Sequence, residues 1–120
     1  MPTIAVLDDD ASTRDALAVM LRDLFPRARV IAARVDDAAT VAERDVVTVV
    51  LIGLAAVERV GRPLSTAVRV VALTREMGPD TLLRAEALGV AASVRAPATS
   101  RSLRAVLEPM LGPDGVRDRD

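Results

Sequence analysis

The chain contains no cysteine, histidine, tyrosine or tryptophan, and Phe25 is its one aromatic residue. Lysine is missing as well: all 16 cationic residues are arginine. Each gap closes a class of chemistry. Without cysteine there are no disulfides and no thiolate metal sites. Without histidine there is no imidazole base and no imidazole-bound metal. Without lysine there is no Schiff base and no P-loop phosphate clamp. A single ring offers no platform for stacking bases or a flavin. Carboxylates, guanidiniums and a few hydroxyls are what remain of the usual catalytic side chains.

Other absences narrow the setting. Charged residues interrupt every apolar run well short of a membrane span, so no transmembrane helix is expected. The opening "MPTIAVLDDD" has no basic segment ahead of its apolar run, which argues against a secretory signal and for a cytoplasmic protein. Net charge is −1 and the arginines are spread along the chain, so no direct nucleic-acid contact is expected. There is no Gly-rich phosphate loop and no nucleophile–base pair, so an enzyme is the least expected class. A length of 120 residues with 51% hydrophobic content suits one domain around one core.

What is present is an alternation of β-branched runs and helical segments. "TIAVL" (3–7, β1) is continuously apolar, as a strand buried on both faces should be. Asp10 to Ser12 then supply helix-start chemistry for a helix (α1) running to about Leu24, with Leu17, Met20, Leu21 and Leu24 on one face. "RVIAA" (29–33, β2) is followed by a short helix over 36–44 (α2), with Asp36 or Asp37 as its cap. "VVTVVLI" (46–52) reads as β3. One or two helical turns (α3) over 55–60 precede Gly61 and Pro63, which break the helix. "VRVVAL" (68–73) is β4 and "GPDTLLRAEAL" (78–88) is α4, with Pro79 near its start and Gly89 at its end. "AASVR" (91–95) is β5, and 99–108 is α5, capped by Thr99 or Ser100 and stopped or kinked by Pro109. Residues 1–111 form one domain on this reading, and 112–120 a polar tail or the start of a linker.

Successive β-α units imply a parallel sheet with helices on both faces. Function in such sheets gathers at the carboxyl ends of the strands. Those ends are Leu7–Asp10, Leu51–Leu54, Leu73–Arg75 and Arg95–Pro97.

On these residues the chain resembles the receiver domain of two-component response regulators, the CheY-like family, over residues 3 to about 111. "LDDDASTR" (7–14) resembles the family's β1 end, whose two adjacent acids hold Mg²⁺; they map to Asp8 and Asp9. Arg14 falls where the family often has a basic residue. "VVALTRE" (70–76) places the family's Ser/Thr switch on Thr74, and Ser93 falls where an aromatic switch is common. "LGVAASVRAP" (88–97) puts Ala96-Pro97 on the family's Lys-Pro pair, whose peptide bond is commonly cis, with Pro97 as the cis candidate.

The resemblance implies a three-layer α/β/α sandwich: a flavodoxin-like, five-stranded parallel sheet with a shortened α3. It also exposes a gap. Family chemistry needs an aspartate at the end of the third strand and a lysine beside the phosphoryl group. "LIGLA" aligns Leu51 with the acceptor; Val50, Ile52 and Gly53 could not accept a phosphoryl group either. Ala96 stands at the lysine position. The nearest acids are Asp45 and Glu58, and Asp45 lies far from the strand's carboxyl end. Thus no catalytic residue and no required cofactor are expected, with Mg²⁺ held at most weakly by Asp8 and Asp9. The implied function is a phosphorylation-independent pseudo-receiver in bacterial signalling or transcription regulation. It would dock a protein partner or a second copy through the α4-β5-α5 face, where Arg84, Glu86, Arg101, Arg104 and Glu108 lie. Two other readings stay open: a metal or small-ligand sensor built on the acidic pocket, and the receiver half of a longer DNA-binding regulator.

Overall fold

The computed structural model describes residues 1–44, 46–60 and 68–112. The expected helix break at Gly61 and Pro63, the tail beyond Gly112, and Asp45 lie outside them. β1 (Thr3–Leu7), β2 (Arg29–Ala33), β3 (Val49–Gly53), β4 (Arg69–Thr74) and β5 (Ala92–Arg95) form one five-stranded sheet. Every pairing is parallel and the spatial order is β2-β1-β3-β4-β5. This is the flavodoxin-like doubly wound order, which reverses direction between β1 and β3. α1 (Ala11–Leu24), α2 (Ala38–Arg44), α3 (Leu54–Val60), α4 (Pro79–Ala87) and α5 (Ser100–Leu111) cover the two faces.

The two-residue period of the strands divides the core. Ile4, Val6, Val49, Leu51, Val71 and Val94 pack against Leu17, Leu21 and Phe25 from the α1 side and Leu103, Leu107 and Leu111 of α5. Their neighbours Ala5, Leu7, Val50, Ile52 and Val70 pack on the opposite face against Val35, Ala38 and Val57. Leu54, Ala72 and Ala85 extend that second layer under α4. Each fully buried leucine, isoleucine or phenylalanine contributes about 1.5–3 kcal/mol of transfer free energy. Both sheet faces are therefore strongly anchored.

Local chemistry sets the helix ends. Asp10 caps α1, accepting from the Thr13 N–H at 2.9 Å. Thr99 and Ser102 form a reciprocal capping box at the start of α5, with bonds of 3.1 and 3.0 Å. α4 closes at Gly89, whose φ of 82° suits a residue without Cβ. There the Val90 N–H reaches the Ala85 carbonyl and the Gly89 N–H reaches that of Glu86, the two bonds of a Schellman ending.

Three boundaries differ from expectation. β3 begins at Val49 rather than Val46, which is 93% exposed; the ladder with β1 starts only at Ile4↔Val49. Asp36 and Asp37 sit inside a short 3₁₀ turn, Val35–Asp37, that leads into α2, instead of capping it. α5 does not stop at Pro109 but runs through it to Leu111. Leu103, Leu107 and Leu111 recur every four residues and are buried, so burial of one further apolar turn offsets the hydrogen bond that proline cannot donate. Ala105 and Pro109 are exposed, which leaves the unpaired Ala105 carbonyl on the solvent side.

Candidate functional site at the strand ends

In a sheet of this order, the crevice lies outside the carboxyl ends of β1 and β3, where the strand order reverses. Asp8 follows Leu7, the last residue of β1. The register Leu7↔Ile52 sets Asp8 beside Gly53, the last residue of β3. Thr74 ends β4 and pairs with Arg95 at the end of β5; Ala96 follows, its N–H donating to the Thr74 carbonyl at 2.8 Å. The Ala96–Pro97 peptide bond is cis. The strand ends thus bring Asp8, Gly53, Thr74 and Ala96 to one side of the sheet.

Leu51 is not at this end. It pairs with Val6 and Val71 in mid-strand, is 0% exposed, and lies inside the α1/α5 layer of the core. The alignment of Leu51 with an acceptor is therefore corrected by two residues. The position beside Asp8 belongs to Gly53, which is half-buried, and a Cβ built there would have no atom within 4 Å. The position carries no side chain, so no nucleophile.

The three acids after β1 are each engaged within the chain. Asp10 holds α1, and its carboxylate also accepts from the Thr13 hydroxyl at 2.6 Å. These bonds from Thr13, helped by the charge of Arg14, hold the Asp10 carboxyl below its ordinary range. Asp8 is half-buried; its Oδ1 accepts from the Asp10 N–H at 2.8 Å, and its carbonyl accepts from Arg14 Nη1 at 2.9 Å. Asp9 reaches furthest. Its Oδ1 accepts from the Val35 N–H at 3.0 Å and its Oδ2 from Arg59 Nη2 of α3 at 3.1 Å.

That arrangement does not fit the divalent cation which the resemblance implies. Mg²⁺ demands near-octahedral oxygen ligation. Both oxygens of Asp9 already face donors, one of them cationic. Among the described residues, no three or more carboxylate, histidine or cysteine side chains gather as metal ligands. Arg59 escaped the sequence reading because nothing local links it to Asp9 across 50 positions.

The hydroxyl residues make short-range contacts. Thr74 Oγ1 donates to the Glu76 carbonyl at 2.9 Å and accepts from the Glu76 N–H at 3.2 Å, a turn closed on its own backbone. Ser93 sits within β5, paired with Ala72 and half-buried. On the α4-β5-α5 side, Arg101, Arg104 and Glu86 are exposed, and Arg104 Nε lies 3.9 Å from Glu108 Oε2 one turn along. Arg84 instead turns to α3, its Nε 3.1 Å from Glu58 Oε2. The same helix leaves Leu82 and Leu83 exposed at 41% and 65%, with Met77 at 36% just before it. Attention to charge passed over these apolar residues.

By sequence, the chain matches no protein-family model and no curated protein. By structure its likenesses are consistent. A protein of Burkholderia thailandensis named for pilus assembly superposes with a TM-score of 0.73 at 29% identity, over 92% of this chain and 98% of its own. A pilus assembly-related protein of Burkholderia pseudomallei gives 0.74 at 29% identity, over 100% and 95%. The Vibrio cholerae chemotaxis protein CheY4 gives 0.74 at 19% identity, over 92% and 99%. The fold is that of a response-regulator receiver domain. Asp8 and Asp9 follow β1 at its carboxyl end, and β3 ends beside Asp8 in Gly53. Among the described residues, no helix of this receiver fold is long and apolar enough to cross a membrane.

Proposed function

We propose that the chain is a pseudo-receiver: a phosphorylation-independent, non-catalytic module that signals by docking protein in the cytoplasm. One observation carries this reading. Gly53 stands beside Asp8 at the carboxyl end of β3, where a phosphoryl acceptor would have to be. The chain has no lysine to pair with a phosphoryl group in any register, and Ala96 follows β5. The Thr74 hydroxyl closes a local turn and leaves no relay directed at an anion.

The α4-β5-α5 side supports docking. Leu82 and Leu83 are exposed on α4, and Arg101 and Arg104 are exposed on α5, a mixture of apolar and charged groups that suits a protein surface. A second copy of the chain or another protein would fill it. The two neighbours at 29% identity are named for pilus assembly, which favours an assembly protein over a DNA-binding output as the partner.

Two measurements test this. Incubation with a small phosphodonor and Mg²⁺, followed by intact mass, should show no acid-labile adduct; a stable adduct would overturn the reading. Light scattering behind a sizing column, across a wide concentration range, should show association that Leu83→Glu weakens. Because the chain lacks tryptophan and tyrosine, concentration is best followed by refractive index.

A further inference from the structure

We propose that Arg59 is the resident counter-ion of the acidic strand end, making this end of the sheet indifferent to divalent cations. The inference is independent of the docking surface, and either can fail alone.

The geometry assigns both oxygens of Asp9. Oδ1 takes the Val35 N–H, tying the β1 end to the turn after β2, and Oδ2 takes Arg59 Nη2, tying it to α3. A guanidinium also lies against Asp8, where Arg14 donates to the carbonyl. The Asp8 carboxylate in turn accepts from the Asp10 N–H. A cation seeking two carboxylates here would have to displace a guanidinium from Asp9 and leave that charge without its partner. The residues gain no third carboxylate in exchange.

The ion pair itself is exposed, with 58% of the Arg59 side chain and 45% of the Asp9 side chain accessible. Such a pair is weak, so it would not exclude a metal from a strong site. Two carboxylates without a third make a weak oxygen site, in which a small competing interaction decides occupancy. Arg84 of α4 pairs instead with Glu58 of α3, so its guanidinium is engaged away from Asp9.

The test uses Mn²⁺ as probe, read by paramagnetic broadening of amide NMR signals in the full chain. In the wild type, the signals of residues 8–10 and 53 should broaden only at high Mn²⁺, without saturating below the millimolar range. Arg59→Gln removes the charge and keeps a polar, unbranched side chain too short to reproduce the guanidinium contact. It should lower the midpoint by up to about fivefold, the upper end for one exposed ion pair. Adding Asp9→Asn should abolish the gain, and Arg84→Gln, which also removes one positive charge near α3, should leave the wild-type midpoint unchanged. Saturation of the wild type at submillimolar Mn²⁺ would overturn the proposal. So would an unchanged midpoint in Arg59→Gln, or an equal gain in Arg84→Gln, which would make the effect one of bulk charge. Circular dichroism of each variant confirms that the fold is retained.

Discussion

Placing a carboxylate on β3 separates the two registers sharply. In Leu51→Asp the new group enters a position that is 0% exposed and surrounded by Val6, Val71, Leu103 and Leu107. Losing the leucine from such a core costs about 2–5 kcal/mol. Keeping the acid protonated at pH 7, about three units above its ordinary value, costs about 4 kcal/mol more. Together these reach about 6–9 kcal/mol, comparable with the roughly 5–15 kcal/mol that keeps a domain folded. In Gly53→Asp the Cβ meets nothing within 4 Å, and the site is half-buried. Its principal cost is repulsion from Asp8 on the adjacent strand, about 1 kcal/mol in water-like surroundings at the usual strand spacing. Urea unfolding followed by far-ultraviolet circular dichroism should show Leu51→Asp unfolded or nearly so without denaturant. Gly53→Asp should give a transition close to wild type. A folded Leu51→Asp with a near-normal midpoint, or a collapsed Gly53→Asp, would refute the register and the assignment of the strand end to Gly53.

Three further predictions concern the framework. Asp10→Asn should keep the α1 cap but remove its pH dependence. The lowered Asp10 value means that its charge stabilises the fold above 3.8, and that this contribution is lost as pH falls through the lowered folded value; the urea midpoints of wild type and variant should differ above 3.8 and converge as pH falls through that window. Leu107→Ala, at a fully buried position of α5, should cost about 2–5 kcal/mol in urea unfolding while preserving the circular dichroism spectrum at low denaturant. Pro109→Ala should restore a donor to the exposed side of α5 and raise the free energy of unfolding, read from urea titration, by up to about 3 kcal/mol.

Most of the architecture was legible because it rests on local signals. Continuous apolar runs marked the buried strands, and Asp10, Thr99, Pro79 and Gly89 marked helix ends within a residue or two. The register of β3 was not legible, for a physical reason. A strand buried on both faces has no polar alternation to fix its phase, so "VVTVVLIG" reads equally well when shifted by two. Pairing with β1 decides the matter, and that information lies some 45 residues away, where Thr3 and Thr48 meet through the Thr48 hydroxyl. Pro109 marked a stop or a kink; the helix does not stop there, because the leucine stripe on the far side of α5 carries it on to Leu111.

The acids of "LDDD" pose the remaining question, since their resemblance is to metal ligands while the structure gives each a backbone task. Asp10 caps α1, Asp8 holds the Asp10 N–H in a tight turn, and Asp9 pins the Val35 N–H at the far end of β2. These tasks need carboxylate oxygens but no cation. They are set by the chain's path from β1 into α1, which the sheet order dictates. The absence of a carboxylate from the end of β3 takes nothing from these tasks, whereas replacing any one of the three acids would strand a donor. Arg59 then supplies charge compensation that costs no dissociable ligand. The acidic triplet can therefore be retained for loop architecture alone, and its presence is weak evidence for metal-dependent chemistry in any chain of this fold whose β3 ends without an acid.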